Sequence, residues 1–188
     1  MCATYKEEKH IKYCLGSALL ELMKQNSFSE ITVNEICSAA YIGRATYYNY
    51  AGGKREKDDL ITFKLKRDYK KYVSERRAKG LSKIDNGGDT FNFVYDNREI
   101  FKLLHRDRLN NTLIQFLTYA EGNSESKGDQ AYIDQYLAMG YLGILQKWDE
   151  ENYSKTALEV AYIVYNKHAD LVKWHIQRYL DITGSGNQ

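Results

Sequence analysis

The chain contains no proline among its 188 residues. Nothing therefore locks φ or removes an amide donor inside a helix, and turns must be built from Gly, Asn and Asp. Cysteine is scarce. Cys2, Cys14 and Cys37 are an odd count without a C-x-x-C spacing, which gives neither a disulfide framework nor a thiolate zinc site. Cys14 and Cys37 fall in apolar-periodic segments, where a reduced thiol acts as a small hydrophobe. His10, His105, His168 and His175 form no H-E-x-x-H or C/H zinc pattern, so they are read as core or interface residues, and no metal or other cofactor is expected. No run of about 18 apolar residues occurs, which excludes a transmembrane helix. The N-terminal stretch MCATYKEEKHIKYC is charged from Lys6 onward and lacks the apolar core of a secretory leader, so a cytoplasmic address is expected.

What is present is an ordinary globular balance, 43% hydrophobic and 28% charged, too apolar for wholesale disorder. This length suits one domain, or a small head fused to a larger body. Tyrosine is abundant, 17 residues, and supplies apolar area with a polar tip suited to pockets and interfaces. Charge is uneven. The stretch KLKRDYKKYVSERRAKGLSK, residues 64–83, holds nine basic and two acidic side chains between a neutral N-terminal part and an acidic C-terminal part. Such a stretch either faces a polyanion or forms one solvated helix face.

Hydrophobic periodicity predicts helix almost throughout, an all-α chain. Ile11, Cys14, Leu15, Ala18, Leu19, Leu22 and Met23 make one stripe over residues 5–25. Thr32 with Glu35 has the capping-box spacing and starts a short helix burying Val33, Ile36, Cys37 and Ala40. A brief turn, Tyr41-Ile42-Gly43, leads to a second short helix, Arg44–Tyr50, and Gly52-Gly53 ends it. A long helix is expected over 58–79, and shorter ones over 90–95, 98–105 (capped by Asn97) and about 107–120. Two strong helices close the chain, over 130–148 and, capped by Ser154, over 155–180. Gly140 and Gly143 inside the first of these call for a closely approaching helix, because mid-helix glycine costs about 1 kcal/mol.

No G-x-S-x-G, P-loop or G-x-G-x-x-G after a strand is present, and Gly52-Gly53-Lys54 lacks the hydroxyl residue of a phosphate loop. The chain is therefore not expected to be an enzyme. The strongest motif is the pair of short helices, which reads as a helix-turn-helix. In that motif the second helix enters the major groove and the first crosses the backbone. Arg44 is placed to meet guanine or phosphate, and Thr46 a thymine methyl or phosphate. Tyr48, Asn49 and Tyr50 offer polar tips to phosphate oxygens, while Tyr47, off that face, is expected in the core. Thr32 and Val33 lie at the positive start of the first motif helix, and Lys54, Arg55 and Lys57 follow the reading helix. The sequence pI of 8.3 is not that of a strongly basic nucleic-acid domain.

The stretch ITVNEICSAAYIGRATYYNY resembles the DNA-binding motif of TetR-family transcriptional regulators. The resemblance implies a head, residues 1–60, that binds a palindromic operator in double-stranded DNA, and a body, residues 61–188, for effector binding and dimerisation. Arg44, Thr46 and Tyr48 match the family's recognition contacts, with Asn49 and Tyr50 flanking, and Thr32 matches a phosphate contact. Three departures stand out. Tyr41 occupies a turn position that is normally glycine, where positive φ is convenient. Ala51 replaces a core aromatic, leaving Tyr50 to substitute. A short insertion before Leu60 leaves either Lys54 or Lys57 as the phosphate lysine.

The expected function is a homodimeric regulator, usually a repressor, answering to a small-molecule effector of unknown identity. Candidate pocket residues are Phe91, Phe93, Tyr95, Phe101, Phe116, Tyr119 and Tyr141. The candidate dimer face is Ile133, Leu137, Gly140, Ile144, Trp148, Val164, Leu171 and His175. The competing readings are a helical interaction protein of the same fold that recruits a protein partner without specific DNA binding, and a small-molecule-binding helical protein or enzyme.

Overall fold

A computed structural model describes residues 5–50, 57–83, 88–121 and 127–167, with residue 177. Every regular element among them is helical. They are α1 (Tyr5–Leu22), α2 (Val33–Ala39), α3 (Arg44–Tyr50), α4 (Lys57–Ala78), α5 (Asp89–Asp96), α6 (Arg98–Arg106), α7 (Asn110–Ala120), α8 (Asp129–Glu150) and α9 over 157–167. No helix of the described residues is long and apolar enough to cross a membrane.

With no proline available, the helices stop by backbone geometry. After α2, α4, α6 and α8 the chain turns through a left-handed residue: Tyr41 (φ 54°), Gly80 (φ 79°), Arg108 (φ 56°) and Asn152 (φ 51°). The next amide then reaches back to the helix, as Ile42 N–H does to the Cys37 carbonyl at 2.9 Å and Leu109 N–H to that of Leu104 at 2.9 Å. Tyr41 and Arg108 N–H bond the carbonyls of Ser38 and His105, completing the Schellman pattern that satisfies orphan carbonyls. The left-handed Arg108 also explains why α7 starts at Asn110, later than the periodicity predicts.

Two further expectations are corrected at helix ends. Asn97 does not cap α6 with its side chain; its amide donates backward to the Phe93 carbonyl at 2.8 Å, closing α5. Ser154 does not start α9. Thr156 does, accepting from Glu159 N–H at 3.3 Å, while the Glu159 carboxylate takes the Thr156 amide at 2.7 Å. Thr156-Ala157-Leu158-Glu159 repeats the T-x-x-E spacing of Thr32–Glu35.

α1, α2 and α3 pack on one another, and α1 lies along α4, which continues into contact with α7 and α5. One core runs through the molecule, from Leu15, Leu19, Ile36 and Tyr47 through Ile61 and Leu65 to Phe91, Phe116, Trp148 and Ala161. Cys37 is part of it and Cys14 is half-buried, both free thiols. The far end of α4 is fixed to α5 by Asp89, 2% exposed, which accepts from Arg76 Nε at 2.7 Å and from Arg77 Nη1 at 3.3 Å.

Candidate nucleic-acid interface

α2 begins with a complete capping box. Thr32 is extended (φ −88°, ψ 158°), its hydroxyl accepts from Glu35 N–H at 3.3 Å, and the Glu35 carboxylate accepts from the Thr32 amide at 2.8 Å. The hydroxyl also donates to that carboxylate at 2.6 Å. These bonds hold the Glu35 carboxyl below its usual range, Thr32's hydroxyl contributing most. The capping box thus holds a carboxylate beside the Thr32 hydroxyl and amide. The half-buried Val33 packs its side chain against the core.

The connection from α2 to α3, Ala40–Gly43, is short because the Schellman turn reverses the chain within it. Ile42 packs inward and the Tyr41 side chain is 97% exposed. α3 is anchored by Tyr47, 3% exposed, whose ring meets that of Tyr48 edge-on at 5.4 Å. Burial raises the Tyr47 phenol and the Cys37 thiol above their ordinary values. On the outward side Arg44, Ala45, Tyr48 and Asn49 are exposed, with Thr46 and Tyr50 half-buried at its edges. The structure thus brings Arg44, Tyr48 and Asn49 together on one face and sends Tyr47 to the core, as the periodicity predicts.

Lys57 is corrected. Its ammonium donates to the carbonyls of Phe28 at 2.8 Å and Ile31 at 2.7 Å and lies 4.6 Å from the Phe28 ring centroid. It pins the start of α4 to the α1–α2 loop, and desolvation there lowers its pKa. It is a structural tie, not a free phosphate ligand. Lys54 and Arg55 lie outside the described residues.

Part of the basic stretch is used within the fold. Lys64 pairs with Asp68, Arg76 and Arg77 hold Asp89, Lys83 meets Glu121 at 3.5 Å, and Arg67 lies over the Tyr13 ring. Arg67, Arg76, Arg77 and Lys83 thus tie α4 and the turn after it to neighbouring segments, while Lys70, Lys71 and Lys79 stay exposed.

A comparison with protein-family models finds no match, and a comparison with curated proteins finds none.

The residues considered for an effector pocket mostly fill space with one another. Phe93, Phe101 and Phe116 sit with centroids 5.6–6.3 Å apart, and Tyr69 joins them at 5.3 Å from Phe93. Phe91 packs on Tyr141 at 5.3 Å, and Tyr95 stacks on Trp148 at 5.7 Å. Tyr119 lies 6.4 Å from Tyr69. Burial raises the phenol of Tyr141 far above its ordinary value. Packed rings at these distances are core contacts, and the reason is plain: apolar spacing cannot distinguish a lined cavity from a filled one.

On α8 and α9, Ile133 and Gly140 are exposed, and Leu137, Ile144 and Val164 are half-buried. Trp148 is corrected: it is 2% exposed and its indole donates to the Lys155 carbonyl at 3.0 Å, which makes it core of its own chain. Leu171 and His175 lie outside the described residues. The structure adds exposed apolar residues beyond those of the candidate dimer face: Tyr132, Tyr136, Met139, Leu158, Tyr162 and Ile163. A cavity of about 420 Å³ opens between the helices beside Gly140, Gly143, Ile144, Ile163 and Val164. A Cβ added at either glycine meets nothing within 4 Å, so the close helix expected there is not part of this chain's described fold.

Proposed function

We propose that the chain is a homodimeric, sequence-specific DNA-binding transcriptional regulator of the TetR type, acting as a repressor on a palindromic operator under the control of a small molecule. The observation that carries this reading is the arrangement of α3. Tyr47 anchors it inward after a tight turn, and Arg44, Tyr48 and Asn49 stand outward together. On this reading α1–α3 form a helix-turn-helix head and α3 enters the major groove, Arg44 meeting a guanine edge or phosphate while Tyr48 and Asn49 fix register on the backbone.

Dimerisation is supported by the exposed apolar residues of α8 and α9, an area that a monomer seldom leaves open. A second copy covers it by bringing its own α8 and α9 across Gly140 and Gly143, where a helix backbone can come close. Two heads then address half-sites about 34–36 Å apart, or a multiple of that spacing.

Selection of bound fragments from random genomic DNA, followed by salt titration of the best fragment, tests the proposal. A palindromic fragment whose log K falls linearly with log salt is the expected result. Arg44→Ala then lowers its affinity about 5- to 150-fold, the value of one bidentate base contact. If no fragment is enriched while the wild-type dimer is intact, the chain is instead a helical interaction protein that uses these faces for a protein partner.

A further inference from the structure

Three consecutive residues at the end of α6 hold two distant parts of the molecule. His105 Nδ1 donates to the Asp149 carboxylate of α8 at 2.5 Å. Arg106 donates from Nη2 to the carbonyls of Met23 at 2.8 Å and Asn26 at 3.0 Å, just beyond α1. Asp107 accepts from the Phe28 amide at 3.3 Å and from Arg106 at 2.8 Å. Lys57 of α4 holds the same α1–α2 loop through the carbonyls of Phe28 and Ile31. The corner itself is stiff. The Asp107, Arg108 and Leu109 amides bond the carbonyls of Leu103, His105 and Leu104 at 3.1, 3.0 and 2.9 Å. A shift of His105 against α8 therefore moves Arg106 and Asp107 on the loop.

A positive charge on His105 meets two favourable neighbours. It lies in the last turn of α6, where the carbonyl end of a helix favours a cation, and it faces a carboxylate. The nearby cations are engaged elsewhere. Arg106 is turned to the loop carbonyls, Lys102 pairs with Glu99 at 3.1 Å, and Lys147 of α8 meets Glu150 at 3.5 Å. Arg108, at the start of the next connection, is exposed. Tyr153, in the turn after α8, is kept neutral by burial, which raises its phenol, with Asp149 and Glu99 acting in the same sense. From α7 the contact meets only the apolar Leu113. His105 and Asp149 also line a cavity of about 10 Å³ with Gln146 and Tyr153, room for about one water.

We infer that this corner is a pH-sensitive joint between α8 and the α1–α2 loop. With its imidazole charged, His105 holds Asp149 as an ion pair and keeps Arg106 and Asp107 seated on the loop. When the proton passes to solvent, a neutral hydrogen bond remains, about half as strong. The corner then opens more often, and the loop is released with it. Histidine is the side chain that ordinarily changes charge between pH 5 and 8, so the joint tightens in mild acid and loosens in mild base. The inference rests on this corner alone and holds whether or not the chain reads DNA.

Amide hydrogen exchange of the full chain, followed by NMR at pH 5.5 and 7.5 and corrected for intrinsic rates, tests it. The Phe28, Arg108 and Leu109 amides report on the joint, and the middle of α1 serves as reference. Relative to α1, these amides are expected to open about 3- to 10-fold more often at pH 7.5, the value of losing charge assistance from one hydrogen bond. His105→Gln keeps a neutral donor and is expected to abolish that pH dependence, although the other histidines still titrate. Asp149→Asn is expected to abolish it as well. A wild-type ratio that does not change with pH overturns the inference, whether or not either variant folds. A pH dependence as large in His105→Gln as in the wild type also overturns it, because the titrating group then lies elsewhere.

Discussion

Gly16 lies against the backbone of Leu60: a Cβ built at position 16 stands 2.4 Å from the Leu60 carbonyl oxygen. The contact is between α1 and α4, and it fixes how closely the N-terminal helices approach the long helix. A carbonyl inside a helix cannot move aside as a side-chain tip can. Gly16→Ala is therefore expected to force α1 and α4 apart and destabilise the fold by about 1–3 kcal/mol, the range for overpacking, despite alanine's better helix propensity. Urea unfolding of the two proteins measures it, and an unchanged midpoint contradicts the close packing.

Tyr41 holds φ at 54° with its side chain 97% exposed. The left-handed conformation costs a non-glycine residue about 1–2 kcal/mol, and no packing by the ring offsets it. Tyr41→Gly is expected to stabilise the protein by about 0.5–1 kcal/mol after allowing for the extra freedom glycine gives the unfolded chain. The check is the same urea midpoint; a loss of stability means the ring has a contact in solution.

Asp89 is buried between Arg76 and Arg77. Asp89→Ala removes the carboxylate that Arg76 and Arg77 share and is expected to cost about 3–5 kcal/mol, freeing the end of α4 from α5. Hydrogen exchange should show the last turn of α4 losing protection before α1 does. Equal loss everywhere means that the pair does not act locally.

Glu35 and Glu159 are held below the usual carboxylate range by the threonines that begin their helices. A depressed folded-state pKa contributes stability that is present above the unfolded value and lost as pH falls through the folded one. Stability is therefore expected to decline below about pH 4.5, the ordinary glutamate range. In Glu35→Gln that decline is shallower, because one proton-linked group is gone. Stability measured against pH in the two proteins checks the sign; parallel curves reject it.

The helical class, the stripe of α1, the Thr32–Glu35 cap, the placement of Tyr47 and the bounds of α2 and α3 to within a residue all followed from the sequence. Each depends on residues within one or two turns of each other, so side-chain spacing and local hydrogen bonding suffice to decide them. The outward face of α3 was legible for the same reason, because one buried residue fixes the rotation of a seven-residue helix.

Other features depended on distant partners. Lys57 is a loop tie because the carbonyls of Phe28 and Ile31 fold back to it, and Trp148 is core because Lys155 returns to its indole. The aromatic residues of α5–α7 fill their space because Tyr69 of α4 enters among them. Tyr41 keeps a conformation favoured by glycine because the Schellman bonds and inward packing of Ile42 hold the turn in place. Periodicity tells which face of a helix is apolar. What covers that face is settled by the tertiary structure, because contacts between residues far apart in sequence are set by the path of the whole chain.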